Sequence, residues 1–109
     1  MKVLNVGESA VEAISHPGRA ATALVHDSSD ARVVVFRIEP GQEVPVHTST
    51  STVLLTIVSG TGVVIGAEGE RTVRAGDIVV YDVQEPHGMR AHEEQFVIAA
   101  VIAPRPGTR

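Results

Sequence analysis

Residues 52–81 read TVLLTIVSGTGVVIGAEGERTVRAGDIVVY, and this stretch decides the fold class. Short runs rich in Val, Ile and Thr alternate with turns at Gly60, Glu68-Gly69 and Gly76-Asp77. β-Branched residues are enriched in strands, and an acidic residue with glycine between two short runs is typical of a tight hairpin. The pattern therefore predicts strands at 52–58, 63–67, 70–74 and 78–81.

The same alternation of strands and turns continues on both sides of this stretch. It predicts strands at 21–25, 32–39, 88–91 and 95–102, with a strong turn signal at Pro40-Gly41. Residues 7–14 have helical character, but Pro17-Gly18 ends it. Because no later segment can supply a crossover helix, we expect an all-β sandwich or barrel.

The chain has 109 residues, which is the size of one domain with one core. We expect residues 1–109 to form a single domain. Within it, residues 1–30 would form N-terminal strands and turns, 31–103 a barrel, and 104–109 an exposed tail.

Composition excludes several classes of function. The formal net charge is -4 and no basic run occurs, so we expect no nucleic-acid partner. The chain has no cysteine, which excludes disulfides and thiolate nucleophiles. No apolar run approaches the ~20 residues of a membrane helix, and no signal-peptide core is evident. We therefore expect a cytoplasmic protein without a membrane partner.

Two stretches each place a histidine after a glycine turn. One runs from Gly41 to His47 and on to Gly60, and the other from Gly76-Asp77 to Pro86-His87-Gly88. Imidazoles on strands are common parts of metal and acid–base sites. In this order and spacing the chain resembles the cupin family over about residues 30–103. The resemblance implies a double-stranded β-helix, or jelly-roll barrel, with both histidines facing its interior.

The chain departs from the cupin pattern where that family holds a metal. The resemblance implies three histidines and a glutamate, but Ser49 stands at the second histidine and Val53 at the glutamate. Only His47 and His87 remain, whereas catalytic zinc and iron sites normally use three protein ligands. We expect no cofactor and no tightly bound metal. Weak or adventitious binding of a divalent ion by the two histidines stays open.

Strand alternation extends the candidate site beyond the histidines. If His47 faces inward, so do the residues that alternate with it, provided no bulge intervenes, and His87 shares a face with Met89. This predicts a mostly apolar ligand pocket formed by His47, Ser49, Val53, Leu55, His87 and Met89. The other histidines, His16, His26 and His92, stand in polar turns, and we expect them to be exposed.

Binding of a small organic ligand is the first functional hypothesis. One alternative is a metal-dependent dioxygenase or isomerase whose third ligand comes from Gln42 or His92. Another is a metal-free isomerase or epimerase in which His47 or His87 is the catalytic base. A purely structural role is a third. By analogy with small cupins we expect a homodimer, with residues 1–6 and 21–25 supplying interface strands.

Overall fold

The computed structural model describes residues 1–107 and consists mainly of strands. Within that range the chain forms one helix and ten strands: α1 (Val6–Glu12), β1 (Ile14–His16), β2 (Arg19–Asp27), β3 (Arg32–Ile38), β4 (Glu43–His47), β5 (Thr52–Ser59), β6 (Thr61–Gly66), β7 (Gly69–Arg74), β8 (Ile78–Tyr81), β9 (His87–Ala91) and β10 (Phe96–Ala103). The predicted all-β class is confirmed.

The strands form one curled sheet in the order β7-β6-β9-β4-β2-β3-β10-β5-β8, and β1 pairs with β2. β2 meets β4 in parallel at one register pair, Arg19 and Glu43, whereas β10 runs antiparallel along both β3 and β5. The narrow β2–β4 junction divides the sheet into two halves. Both halves contribute side chains to one core, which includes Ile38, Leu55 and Phe96 at 0% exposure. This arrangement is the double-stranded β-helix that the sequence predicts.

Tyr81 ties the two halves together. It ends β8 in one half, and its hydroxyl donates to the carbonyl oxygen of Ile65 on β6 in the other half, at 2.9 Å. A longer contact of 3.5 Å joins the same hydroxyl to the carbonyl oxygen of Gly88 on β9. The side chain is buried, so these contacts satisfy a hydroxyl that would otherwise be costly to enclose.

The N-terminal region differs from the predicted strands and turns. Asn5 caps α1 by accepting a hydrogen bond from the Glu8 amide at 2.9 Å, and residues 1–5 form no strand. Ala10 of the helix packs on Val35 and Val97, on the outer face of the sheet. In the single chain residues 1–6 are not a strand, and their part in a dimer interface stays a prediction. No helical segment within residues 1–107 is long and apolar enough to cross a membrane.

Glycine turns fix several strand ends. Gly41, Gly60 and Gly76, which stand in the predicted turns, have positive φ values of 86°, 81° and 98° that glycine adopts readily. At Gly60 a Cβ atom would lie 2.0 Å from the Gln95 carbonyl oxygen, so only glycine fits there. The β6–β7 hairpin turns at residues 67–68, one residue earlier than predicted, because Gly66 pairs with Gly69.

The C-terminal tail is anchored at its start. The Ser51 hydroxyl, in a side chain that is 1% exposed, donates to the Pro104 carbonyl oxygen. Pro104 is half-buried, so the prediction of an exposed tail is wrong at this residue. Residues 108–109 of that predicted tail lie outside the described part of the chain.

Candidate functional site

A bulge in β4 sets the two candidate histidines opposite each other. Val44 pairs with Met89 and His47 pairs with His87, so two residues of β4 stand opposite Gly88 alone. An extra residue in one strand reverses the inward and outward alternation beyond it. His47 therefore returns to the face of Val44, which is the face shared by Met89 and His87.

Gly88 makes room for this bulge. A Cβ atom on residue 88 would lie 3.0 Å from Val46 Cγ2 and 3.1 Å from the Val44 carbonyl oxygen. Both contacts are closer than side-chain atoms ordinarily approach, and one involves the backbone. The glycine after His87 thus has a packing role in the strand that carries the other histidine.

We expect Gly88→Ala to lower the free energy of unfolding by about 1 kcal/mol, because the bulge must shift to accept the methyl group. Gly66→Ala is the matched control, since its Cβ would approach only the end of the Glu85 side chain at 3.1 Å and the Tyr81 ring at 3.5 Å. Urea denaturation of both variants measures the difference. Equal stability of the two alanine variants would contradict the role of Gly88.

The two imidazoles are in contact and share one hydrogen-bonding pattern. Their ring centroids lie 4.1 Å apart. His47 Nδ1 is 2.8 Å from the Pro45 carbonyl oxygen, and His87 Nδ1 is 3.0 Å from the Glu85 carbonyl oxygen. A carbonyl oxygen only accepts, so each Nδ1 carries the hydrogen and each Nε2 of the neutral ring is an acceptor.

Neither Nε2 atom has a hydrogen-bond partner among residues 1–107. In the same range, no side-chain nitrogen or oxygen that is sealed from solvent lacks a partner. The Nε2 atom of His87 therefore reaches space outside the packed core, although the residue is only 4% exposed. His47 is exposed beside it. The pair thus presents two acceptors, one on an exposed ring and one on a ring that is largely buried.

Tyr81 completes the cluster of rings. Its ring centroid lies 5.0 Å from that of His87. Burial, reinforced by the negative charge of Glu85, raises the pKa of Tyr81 to about 12. The phenol stays protonated and holds the backbone beside His87. Tyr81 is not among the predicted site residues, although the sequence carries a signal for it: it ends an apolar strand and alternates in phase with Val79.

The other predicted pocket residues occupy two different environments. Val53, Leu55 and Met89 are 4%, 0% and 2% exposed and belong to the central core. Ser49 is half-buried in the loop between β4 and β5, where its hydroxyl oxygen accepts from the Ser51 amide at 3.1 Å. The structure brings His47 and His87 into contact, whereas the membership of the other four residues in a ligand pocket stays a prediction.

The remaining histidines lie apart from the pair. His16 and His92 are exposed, as expected. His26 is half-buried and its Nε2 atom lies 3.3 Å from the Ser28 hydroxyl, so the expectation of exposure is wrong there. The cause is a turn that folds the Ser28 side chain back over the end of β2.

A comparison against known families agrees with the double-stranded β-helix fold. The family described as Cupin domain matches residues 34–102, which is more than half of the chain. The chain belongs to the cupin family. No curated protein matches this cupin.

Solved structures superpose on nearly the whole of this cupin. An uncharacterized conserved protein with a double-stranded beta-helix domain from Klebsiella pneumoniae is 26% identical, with a TM-score of 0.85 over 96% of this chain and 91% of its own. An RmlC-like cupin protein from Desulfovibrio desulfuricans is 29% identical, with a TM-score of 0.79 over 95% and 97%. A protein from Thermus thermophilus is 25% identical, with a TM-score of 0.86 over 97% and 100%.

The donor set of this cupin does not fit a catalytic ion with three protein ligands. Gln42 Oε1 accepts from the Glu39 amide at 3.0 Å, and His92 lies past the end of β9, about 16 Å along an extended strand from His87. The Glu85 carboxylate accepts from the Asp82 and Ala67 amides. Within residues 1–107, no three histidine, aspartate or glutamate side chains are grouped so that they could hold one ion.

Burial lowers the pKa of the His87 imidazole below its usual value of 6.5. The charge of a protonated His47 would lower that pKa further, while the carbonyl group and the carboxylate of Glu85 oppose the effect. His87 is therefore neutral near neutral pH, which keeps its Nε2 atom an acceptor.

This depressed pKa predicts a pH-dependent stability. As the pH falls below about 6.5, the unfolded chain takes up a proton on His87 before the folded chain does, so the free energy of unfolding should decrease. The loss continues until the pH passes the pKa of the folded state. Urea denaturation between about pH 8 and 5 measures the slope. His87→Gln should flatten it, whereas the exposed His92→Gln control should not.

Proposed function

We propose that this cupin binds a small organic ligand at the paired imidazoles of His47 and His87. The proposal rests on one observation: two contacting imidazoles each use Nδ1 on a backbone carbonyl and leave Nε2 without a partner in the described chain. A hydrogen bond from a ligand to such an Nε2 atom contributes to affinity, because the atom has no protein donor to replace.

The hydrogen-bonding pattern of the pair, with Nδ1 on a carbonyl oxygen and Nε2 as an acceptor, defines the class of ligand. Two acceptors favour a neutral compound with hydroxyl or amide hydrogens, and they offer nothing to a carboxylate at neutral pH. We therefore expect neutral polyols or carboxamides rather than anions.

A panel of neutral polyols and carboxamides, screened by thermal shift and followed by calorimetry, tests this proposal. The best compound should bind His47→Gln roughly fivefold more weakly, because one hydrogen bond worth about 1 kcal/mol is lost. The exposed His92→Gln serves as control and should bind as wild type does. The proposal fails if no compound binds, or if His47→Gln and wild type bind equally.

A metal-free isomerase or epimerase is the second candidate, because the exposed imidazole of His47 has an Nε2 atom that can accept a proton. Incubation of the best ligand in D2O, followed by NMR, tests for exchange of a carbon-bound hydrogen. Exchange that is lost in His47→Gln would favour the enzyme, and binding without exchange would favour the binding protein.

Metal-dependent catalysis has the least support, because the two imidazoles lack a third ligand. Metal analysis of protein purified without a histidine tag tests this directly. One equivalent of a transition metal per chain would overturn the preferred function. The homodimer and the cytoplasmic location stay predictions, and sedimentation velocity would decide the first.

A further inference from the structure

A separate cavity of about 320 Å3 lies between β2, β3 and β4. Ala20, Phe36 and Val44 form part of its apolar wall, while His16, Arg19 and Glu43 are its ionisable lining residues. None of its lining residues is one of the six residues of the predicted ligand pocket. Its volume lies at the small end of the range of about 300–1,000 Å3 typical of small-molecule sites.

The cavity exists because β2 and β4 separate beyond a single register pair. Arg19 lies opposite Glu43, but farther along β2 the residue Thr22 pairs with Ile14 of β1. β4 instead continues beside β9, where Val44 pairs with Met89. No strand covers Phe36 where β2 and β4 diverge. One part of its ring packs against the core, and the other part lines the cavity.

Arg19 supplies a cation at this cavity. No hydrogen bond or ion pair involves its guanidinium within residues 1–107, even though Glu43 is its register neighbour. Arg90 and Arg37, by contrast, have partners: Arg90 makes two bonds to Glu70, at 2.7 and 2.8 Å, and Arg37 donates to the Ala10 carbonyl oxygen. An arginine without an acidic partner, next to an apolar wall, suits a planar anionic head group.

Two neighbours of Arg19 narrow the choice of anion. His16 lies opposite Arg19 across the β1–β2 hairpin and lines the same cavity, so its ring can add a donor. Glu43 also lines the cavity and would repel a second negative charge. A ligand with one carboxylate and an apolar tail can accept hydrogen bonds from Arg19 and His16 without placing a second charge near Glu43. A dicarboxylate would place its second charge there.

We infer that this cavity binds a small monocarboxylate, with its carboxylate on Arg19 and its apolar tail against Phe36 and Val44. The site is independent of the histidine pair, which favours neutral ligands. The protein would therefore carry two small-molecule sites of different chemistry.

Titration of the full chain with hexanoate, followed by amide NMR and calorimetry, tests the inference. Hexanoate should bind saturably and shift the amide signals of Ala20, Phe36 and Val44. Arg19→Gln should weaken binding at least tenfold, whereas Arg74→Gln, an exposed arginine on β7, should not. Hexanol and adipate should each bind at least tenfold more weakly than hexanoate.

Binding to His47→Gln separates this site from the proposed function. Hexanoate should bind that variant as it binds wild type, whether or not any neutral ligand is found for the histidine pair. Absence of saturable binding, equal binding by Arg19→Gln, or signal shifts centred on His47 and His87 would each overturn the inference.

Discussion

Gly62→Ala should lower the free energy of unfolding by about 3 kcal/mol, at the upper end of the cost of overpacking a core. The added Cβ atom would lie 2.3 Å from both Cδ2 and Cε2 of Phe96. Phe96 is 0% exposed, and close-packed interiors resist the movement of a rigid ring. Urea denaturation of the variant beside wild type measures the loss.

Shortening the opposing side chain provides the control. Phe96→Leu alone should cost roughly 1–3 kcal/mol, because it leaves a small cavity beside Gly62. In the double variant the methyl group added at position 62 would occupy that cavity, so its stability should exceed the additive expectation by about 1–3 kcal/mol. If the losses of the two single variants were additive, the contact between the added Cβ atom and the Phe96 ring would not explain the lost stability of Gly62→Ala.

Tyr81→Phe should lower the free energy of unfolding by about 2 kcal/mol. The ring remains in place, but the carbonyl oxygen of Ile65 loses the donor that joins the two halves of the sheet. Because the ring of Tyr81 also contacts His87, weaker anchoring should loosen the histidine pair. Amide hydrogen exchange at residues 87–89 should therefore accelerate along with the loss of stability.

Val80→Ala is the comparison for this prediction. Val80 precedes Tyr81 on the same strand but is 61% exposed, so its shortening should change stability by less than about 0.5 kcal/mol. If Tyr81→Phe were as mild as Val80→Ala, the hydroxyl would not join the two halves of the sheet.

Local chemistry explains which strands could be predicted from the sequence. The strand predicted at 78–81 has the bounds of β8, because a glycine turn precedes it. The strand predicted at 52–58 is only one residue shorter than β5, because the glycine turn that follows limits where the strand can end. β1 was missed because Pro17-Gly18 signalled an end, whereas it forms the turn of a hairpin. β4 contains Pro45 and depends on distant β9, which no local pattern reveals.

The candidate site was predictable in its residues but not in its geometry. His47 and His87 could be singled out by their glycine turns and by the cupin resemblance. Their contact depends on the β4 bulge, and alternation with a period of two cannot reveal an extra residue. The cavity beside Arg19 depends on where two strands part, so it could be found only in three dimensions.

The two ends of the strand order differ in their resistance to aggregation. β7 carries Glu70, Arg71 and Arg74, and charges on an edge strand oppose pairing with another chain. β8 is apolar throughout, with Ile78 and Val80 exposed, and is bounded by Asp77 and Asp82. Charged residues beside an exposed apolar strand oppose cross-β growth, so we expect these two aspartates to limit aggregation from the β8 edge.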